Sequence, residues 1–420
     1  MTMVRNYMIS KAIAVLALLG SVPVVAETHD SVSMGAQYAD QVFYQFGSGE
    51  RGRSSNANWH IAFSTTGTSG TILTNGAAGV KLQCVPGKTV GDWATIDTAG
   101  SGAWPIVYND AKDWSEGAFS RTRDENDPFD LGWGSYSMIT HTVVGKRVFV
   151  ITLPDGTVRK IRVDGLVSGV FTVTHAGLDG TDEQTITINR KDYATKNLIY
   201  RSLSEHETID REPARTDWDI TFTRYVEPIP YGQIMMDYPV TGILTAPGVA
   251  AIRLTGEAAL NPVLPVEPAW DSSAMIIGST WKSYTGGVYV VRDSIAWIVR
   301  RASGNIVVFK PTRFSGGGTG TTSFTTEAIT TSVTEHDNGR TSLALMPSMV
   351  DHGSSVRIVT DLPSAAACSI VDATGREVVN LSIEAGLTST VLSTSTLANG
   401  MYRAVVRSPF GITTQAFIVR

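Results

Sequence analysis

The sequence has little of what would place it quickly. Only two cysteines occur in 420 residues, Cys84 and Cys368. They lie far apart, which gives no disulfide framework, and two small buried side chains are expected instead. Charged residues make up 17% of the chain and the formal net charge is -5. That leaves no basic field, and nucleic acid is not an expected partner. Beyond the first 26 residues, no apolar run approaches the roughly 18 residues of a transmembrane helix. No stretch longer than about ten residues keeps a helical period. There is no G-x-S-x-G elbow, no H-E-x-x-H pair and no P-loop, and no carboxylate pair can be picked out. The chain is therefore read as a non-enzyme.

Glycine is abundant, at 40 residues, and the recurring pattern is that of short β-branched strands between turns. The organising stretch is 132–163, GWGSYSMITHTVVGKRVFVITLPDGTVRKIRV, a strand pair expected to close on a two-residue Asp155-Gly156 turn. A second version follows at 281–309, WKSYTGGVYVVRDSIAWIVRRASGNIVVF. Trp133 precedes Tyr136 by three residues and Asp155 by 22; Trp281 precedes Tyr284 and Ser303 by the same intervals. Two spacings kept together predict a duplicated unit. Each version is headed by a W-x-I-x-F strand, Trp59/Ile61/Phe63 and Trp218/Ile220/Phe222, expected to bury one face. Loss of either tryptophan is expected to cost about 3–5 kcal/mol. The second version carries an insertion, YVEPIPYGQIMMDYP.

These signals divide the chain. Residues 1–26, with Arg5 and Lys11 flanking an apolar core that ends at Ala26, read as an export signal. The two β units are expected at 36–195 and 196–328. Residues 315–340 turn to Gly, Ser and Thr, with a linker expected at 329–343. Residues 344–420 show the strand spacing of a small Ig-like β-sandwich.

Two resemblances cover most of the chain. Residues 370–378 (IVDATGREV), 397–403 (LANGMYR) and 414–420 (TQAFIVR) resemble the type A C-terminal sorting domain of the type IX secretion system of Bacteroidetes-type bacteria. The resemblance implies a secretion machinery as partner and a secreted or cell-surface protein. Residues 59–63, 217–225 (DWDITFTRY), 132–137 (GWGSYS) and 147–150 with the Asp155-Gly156 turn are similar to the HmuY-like family of haem-binding proteins. That similarity implies two antiparallel β units in tandem and haem as cofactor. One axial ligand of the family aligns with Met138, and His141 lies three residues on. A thioether or an imidazole can ligate haem iron. At the family's other ligand position stand Asn109 and Asp110. The alternative reading is a surface binding or structural protein that kept the fold and lost haem ligation.

The remaining candidates each have an ordinary explanation. As neighbours in one strand, Met138 and His141 would face opposite sides. His60 occupies the slot that Asp219 holds in the second unit, so both are expected to face solvent. His175 and His206 stand isolated, without metal spacing. Met235-Met236 belongs either to a mobile loop or to a buried apolar patch. Asp124, Asn126, Asp127 and Asp130 crowd one loop, but the glycine and closing glutamate of an EF-hand are absent. A solvated acidic loop is expected there.

Overall fold

The computed structural model describes residues 27–66, 70–265, 267–329, 342–362, 364–408 and 411–420. The expected export signal and most of the expected linker, 330–341, lie outside the described residues. The chain is mainly β and divides into two compact units at Ile329/Thr330. Its strands pair antiparallel except for one parallel pair in the second unit, Met349–Val350 with Gly411–Val419.

In the first unit, Thr28–Ser33 is β1, Asp40–Gln45 β2, Gly49–Ser55 β3, Ile61–Ser64 β4 and Ile72–Thr74 β5. Lys81–Thr89 (β6) leads to a long excursion. Then come Gly134–Ser137 (β7), Thr142–Gly145 (β8), Arg147–Thr152 (β9), Val158–Val167 (β10), Val170–Gly177 (β11) and Gln184–Asn189 (β12). Leu198–Ser202 (β13) and Glu207–Ile209 (β14) precede the long ribbon of Ile220–Tyr231 (β15) and Ile234–Thr245 (β16). Ala250–Thr255 (β17), Lys282–Thr285 (β18), Val288–Val291 (β19), Ile295–Arg300 (β20), Ile306–Phe314 (β21) and Thr321–Ile329 (β22) complete it. β22 falls inside the Gly/Ser/Thr-rich tract, whose first half is therefore folded. Phe324, buried in the core, shows why composition alone misreads it.

The two Trp-to-turn segments fold alike locally. Trp133 and Trp281 are both fully buried. Each is followed by a short hairpin (β7–β8, β18–β19) and a strand pair (β9–β10, β20–β21). In each, an N–H beyond the hairpin returns to the tryptophan carbonyl: Lys146 to Trp133 and Arg292 to Trp281, both at 2.9 Å. The closing turns also match, but they are longer than two residues. Gly156 N–H bonds the Leu153 carbonyl while Leu153 N–H bonds that of Thr157; Gly304, Arg301 and Asn305 repeat this. Gly156 and Gly304, at φ of 89° and 91°, take the left-handed bulge position that follows a type I turn.

Strand pairing does not respect the expected boundary at 195/196. β2 pairs with β15, with Val42 opposite Phe222, and β13 pairs with β4, with Ile199 opposite Phe63. Likewise β1 lies on β22, whereas β12 lies on β11. The run β1–β3 thus completes the sheets of the later half, and β13–β14 completes one of those of the earlier half. The first core, containing Phe63, Phe149 and Phe171, is built from residues 61–203. The second draws Val32 to Phe46 from the start of the chain and Trp218 to Phe324 from the other side. One half is nested inside the other in sequence, since pairing follows edge availability and not chain order.

The heading strands differ in one respect. Trp218, Ile220 and Phe222 are all buried in one core. In the other version, Ile61 and Phe63 are buried, but β4 begins only at Ile61. Trp59 lies before the strand and is half-buried on the opposite side, edge-on to Tyr200 at 5.0 Å. Trp218→Ala is accordingly expected to cost about 3–5 kcal/mol. Trp59→Ala should cost clearly less, and urea midpoints of the two variants check this. Equal losses would contradict the burial difference.

The second unit is a two-sheet sandwich. Ser342–Met346 (β23), Ser355–Leu362 (β25) and Gly386–Ser393 (β28) form one sheet. Met349–Val350 (β24), Ala366–Asp372 (β26), Glu377–Ile383 (β27), Gly400–Ser408 (β29) and Gly411–Val419 (β30) form the other. Between them lie Ile358, Cys368, Ile370, Val406 and Phe417. The buried Tyr402 hydroxyl donates to the Ala398 carbonyl at 2.8 Å, pinning the approach to β29. Cys84 and Cys368 are both free thiols.

Candidate functional site

The expected ligand pair does not sit in a strand. β7 ends at Ser137, and Met138 to His141 form the turn into β8, closed by His141 N–H on the Ser137 carbonyl. His141 takes a left-handed φ of 55°. Period-2 reasoning fails there because the backbone reverses. Met138 is 65% exposed and Ile139 92% exposed, and the Tyr136 hydroxyl lies 2.9 Å from His141 Nδ1. Neither Met138 nor His141 lines any of the three cavities described below.

Other expectations are corrected in the same way. His60 is buried, and its Nδ1 accepts the Leu203 N–H at 2.9 Å; burial lowers its pKa. Asp219 is buried too, accepting from Phe46 N–H at 2.9 Å and from Arg301 Nε at 2.8 Å. The two positions share burial, each satisfied by its own partners. His175 and His206 are not isolated: their rings stack at 5.8 Å, with Asp182 3.6 Å from His206 Nε2. Met235-Met236 is neither loop nor buried patch. It lies on β16, near the end of the β15–β16 ribbon, with Met235 60% exposed.

The acidic loop is only partly solvated. Asp130 is buried, its two oxygens each 2.7 Å from Arg147, with Asp124 and Gly132 N–H groups also donating. Burial alone would raise this carboxyl, but Arg147 and the two N–H groups hold it well below the ordinary range. Asp124, Asp127 and Asp130 help line a cavity of about 660 Å³. Among the described residues, no three His, Cys, Asp or Glu side chains are grouped to hold a metal ion.

A second concavity lies between the two halves of the first unit, in two parts. A part of about 80 Å³ is walled by Trp59, Tyr108, Trp114, Tyr200 and Tyr225. A wider part of about 410 Å³ carries Ser64, Lys112, Asp113, Ser115, Ser272 and Ser273. Trp114, Leu198 and Tyr200 belong to both. Trp114 comes from the excursion after β6, and its indole N–H donates to the Thr245 carbonyl of the other half at 2.8 Å. Its ring stands edge-on to Trp218 at 6.4 Å. Tyr108 lies against Gly76, where an added Cβ would come within 2.7 Å of the ring, so glycine allows this close approach.

Behind the aromatic wall, Arg211 lies over Tyr200 at 4.9 Å and over Trp59 at 5.6 Å. Beside it, Glu212 is buried. Its oxygens accept from Asn197 N–H, Asn197 Nδ2, Leu198 N–H and the Tyr200 hydroxyl, at 2.8–3.4 Å. These bonds fasten the connection between the halves to β13. Burial pushes the Glu212 carboxyl up to about 7, against the pull of its donors. Burial, then Arg159, lowers His175 to about 4.

The signs follow. Glu212 binds its proton more tightly in the folded chain, so its contribution is lost as pH rises from 4.5 through 7. His175 resists protonation when folded, so its contribution is lost as pH falls from 6.5 through 4. Each limb amounts to about 3 kcal/mol, and between pH 4.5 and 6.5 they oppose. Glu212→Gln is expected to leave stability rising with pH, and His175→Gln to leave it falling, in urea midpoints from pH 4.5 to 6.5. Above that range Lys282, lowered by burial to about 7, adds a rise of its own. Profiles parallel to that of the unaltered chain would refute the assignment.

Most residues of this cleft were missed at the level of sequence, although Trp59 and the pair Asn109 and Asp110, at the family's other ligand position, do line it. The run 104–114, WPIVYNDAKDW, is dense in aromatic and amide residues but follows no strand or helix period. Its one signal was that density.

No family model matches the chain, and no curated protein matches it. Among solved structures it is similar to the native conformation of Escherichia coli alpha-2-macroglobulin, at 10% identity and TM-score 0.18, covering 92% of this chain and 30% of that one. It is similar also to a biofilm-associated protein BSP domain, at 9% identity and TM-score 0.17, over 94% of this chain and 81% of that one. The chain thus spans under a third of the alpha-2-macroglobulin chain, and likenesses of this size imply no shared architecture.

Proposed function

We infer that the chain is an exported, non-catalytic binding protein, built from a duplicated HmuY-like unit that has lost haem ligation. Its ligand is held in the cleft between the two halves. Passage outward runs through the leader at 1–26 and the 344–420 sandwich acting as a type IX sorting tail, with the cell surface or medium as destination. The observation that carries the binding reading is the aromatic-walled cleft, which no histidine, cysteine or methionine lines, while Met138 stands 65% exposed on a turn. Binding sites are typically concave, apolar and provided with a few placed polar groups. Haem capture through Met138 is the competing reading.

One titration separates them. Haemin added to the exported chain, oxidised and dithionite-reduced, is expected to give no saturable Soret shift. A shift in either state that Met138→Ala removes would restore haem capture and sink the loss of ligation. Export is read from a periplasm-directed reporter carrying 344–420. It should leave type IX-competent cells and stay inside cells lacking that system; equal retention in both would overturn the tail assignment.

A further inference from the structure

We propose that the cleft takes a neutral oligosaccharide, one sugar ring against the aromatic wall and its neighbours along the hydroxyl-lined part. This rests on the cleft being the binding site.

Size comes first. A water needs about 10–15 Å³ on the scale that gives the aromatic part 80 Å³. That part therefore suits a single six-membered ring, and the 410 Å³ part admits further units. The wall chemistry suits a ring with an apolar face. Indole and phenol rings offer electron-rich faces to the axial C–H groups of a pyranose. Trp114 is fixed in orientation by its bond to Thr245, so little freedom remains to be lost on stacking.

Polar groups then select among ring-shaped ligands. The wider part is edged by serine hydroxyls, with Lys112 as a cation, Asp113 as an anion and Glu212 as a buried carboxyl raised to about 7. The aromatic part likewise has Arg224 and Asp110. Neither charge sign dominates, which disfavours a strongly anionic or cationic ligand. Glu212 adds no free acceptor, since its oxygens already serve Asn197, Leu198 and Tyr200. In the wall of the aromatic part, the Thr74 hydroxyl is buried and has no hydrogen-bond partner among the described residues. A buried hydroxyl without a partner is costly. The Thr74 oxygen is closed off from the cleft in this structure, so a sugar hydroxyl reaches it once the side chain turns about its Cα–Cβ bond. With no histidine, cysteine or methionine present, the site has no soft ligand for a metal or a haem iron.

The test uses the full exported chain with cellohexaose, mannohexaose, xylohexaose and chitohexaose, read by calorimetry and tryptophan fluorescence. At least one is expected to bind saturably. Trp114→Ala should weaken it at least 10-fold, and Thr74→Val, nearly the same shape, by 3- to 10-fold. Failure of all four, or binding indifferent to both substitutions, overturns the proposal. The dye 1-anilinonaphthalene-8-sulfonate is run in parallel. If it binds where the hexaoses do not, and Trp114→Ala abolishes it, the saccharide class falls while the cleft stands. If neither hexaose nor dye binds, the cleft reading falls as well. Thr74→Val keeps the test decisive should Trp114→Ala unfold the chain.

Discussion

Deleting residues 28–55 is expected to unfold the half that contains Trp218, Trp281 and Trp297 and to leave 61–203 largely folded. The deleted stretch supplies β1, β2 and β3, and with them Val32, Met34, Val42, Phe43, Tyr44 and Phe46, each at most 4% exposed. Truncating one such large side chain costs about 2–5 kcal/mol, whereas a whole domain is stable by only about 5–15 kcal/mol. β15 and β22 would also each lose a hydrogen-bonded neighbour. The measurement is amide exchange. Protection across 220–324 should vanish, that across 61–203 should persist, and a synthetic 28–55 peptide should restore the former. Full protection in the truncated chain would show that the opening strands are dispensable.

Asp130→Ala is expected to be the most damaging single substitution of a charged residue. The Asp130 side chain is fully buried and the Arg147 side chain 18% exposed. Removing one partner leaves a guanidinium facing an empty space with no counter-charge, a loss of about 3–5 kcal/mol. The N–H groups of Asp124 and Gly132 lose their acceptor in the same step, which frees the loop that leads into Trp133. Thermal and urea midpoints should fall together, and replacing both partners by apolar residues should recover part of the loss. The depressed carboxyl also predicts acid sensitivity, because its stabilisation is present above the ordinary carboxylate range and is lost as pH falls below it. An Asp130→Ala midpoint equal to that of the unaltered chain would show that the pair contributes nothing.

What the chain's letters disclosed, and what they hid, divides along a physical line. Local order was legible. The Trp-to-turn intervals, the Gly156 and Gly304 turns and the strands of 344–420 depend on neighbours within a few residues, and they lie where pattern puts them. Partnership was not. Nothing in DQVFYQ distinguishes an edge that bonds Ile61 from one that bonds Ile220, some 180 residues away. Side-chain direction failed where the backbone left the strand, at Trp59 before β4 and at Met138 after β7. His60 and Asp219 misled because a polar residue exchanged for another polar residue suggests solvent, whereas here each is buried on its own hydrogen bonds. The cleft escaped for the same reason as the partnerships, since its walls come from stretches that meet only after both halves have formed.

The reciprocal borrowing of opening strands also sets a timetable. Asp30 sits opposite Phe324, so β1 waits for a partner synthesised about 290 residues later. At roughly 5–20 residues per second that interval is about 15–60 seconds. Throughout it, one half of the molecule has no means of closing. The chain's own ribosomal order therefore postpones the final seal of that half.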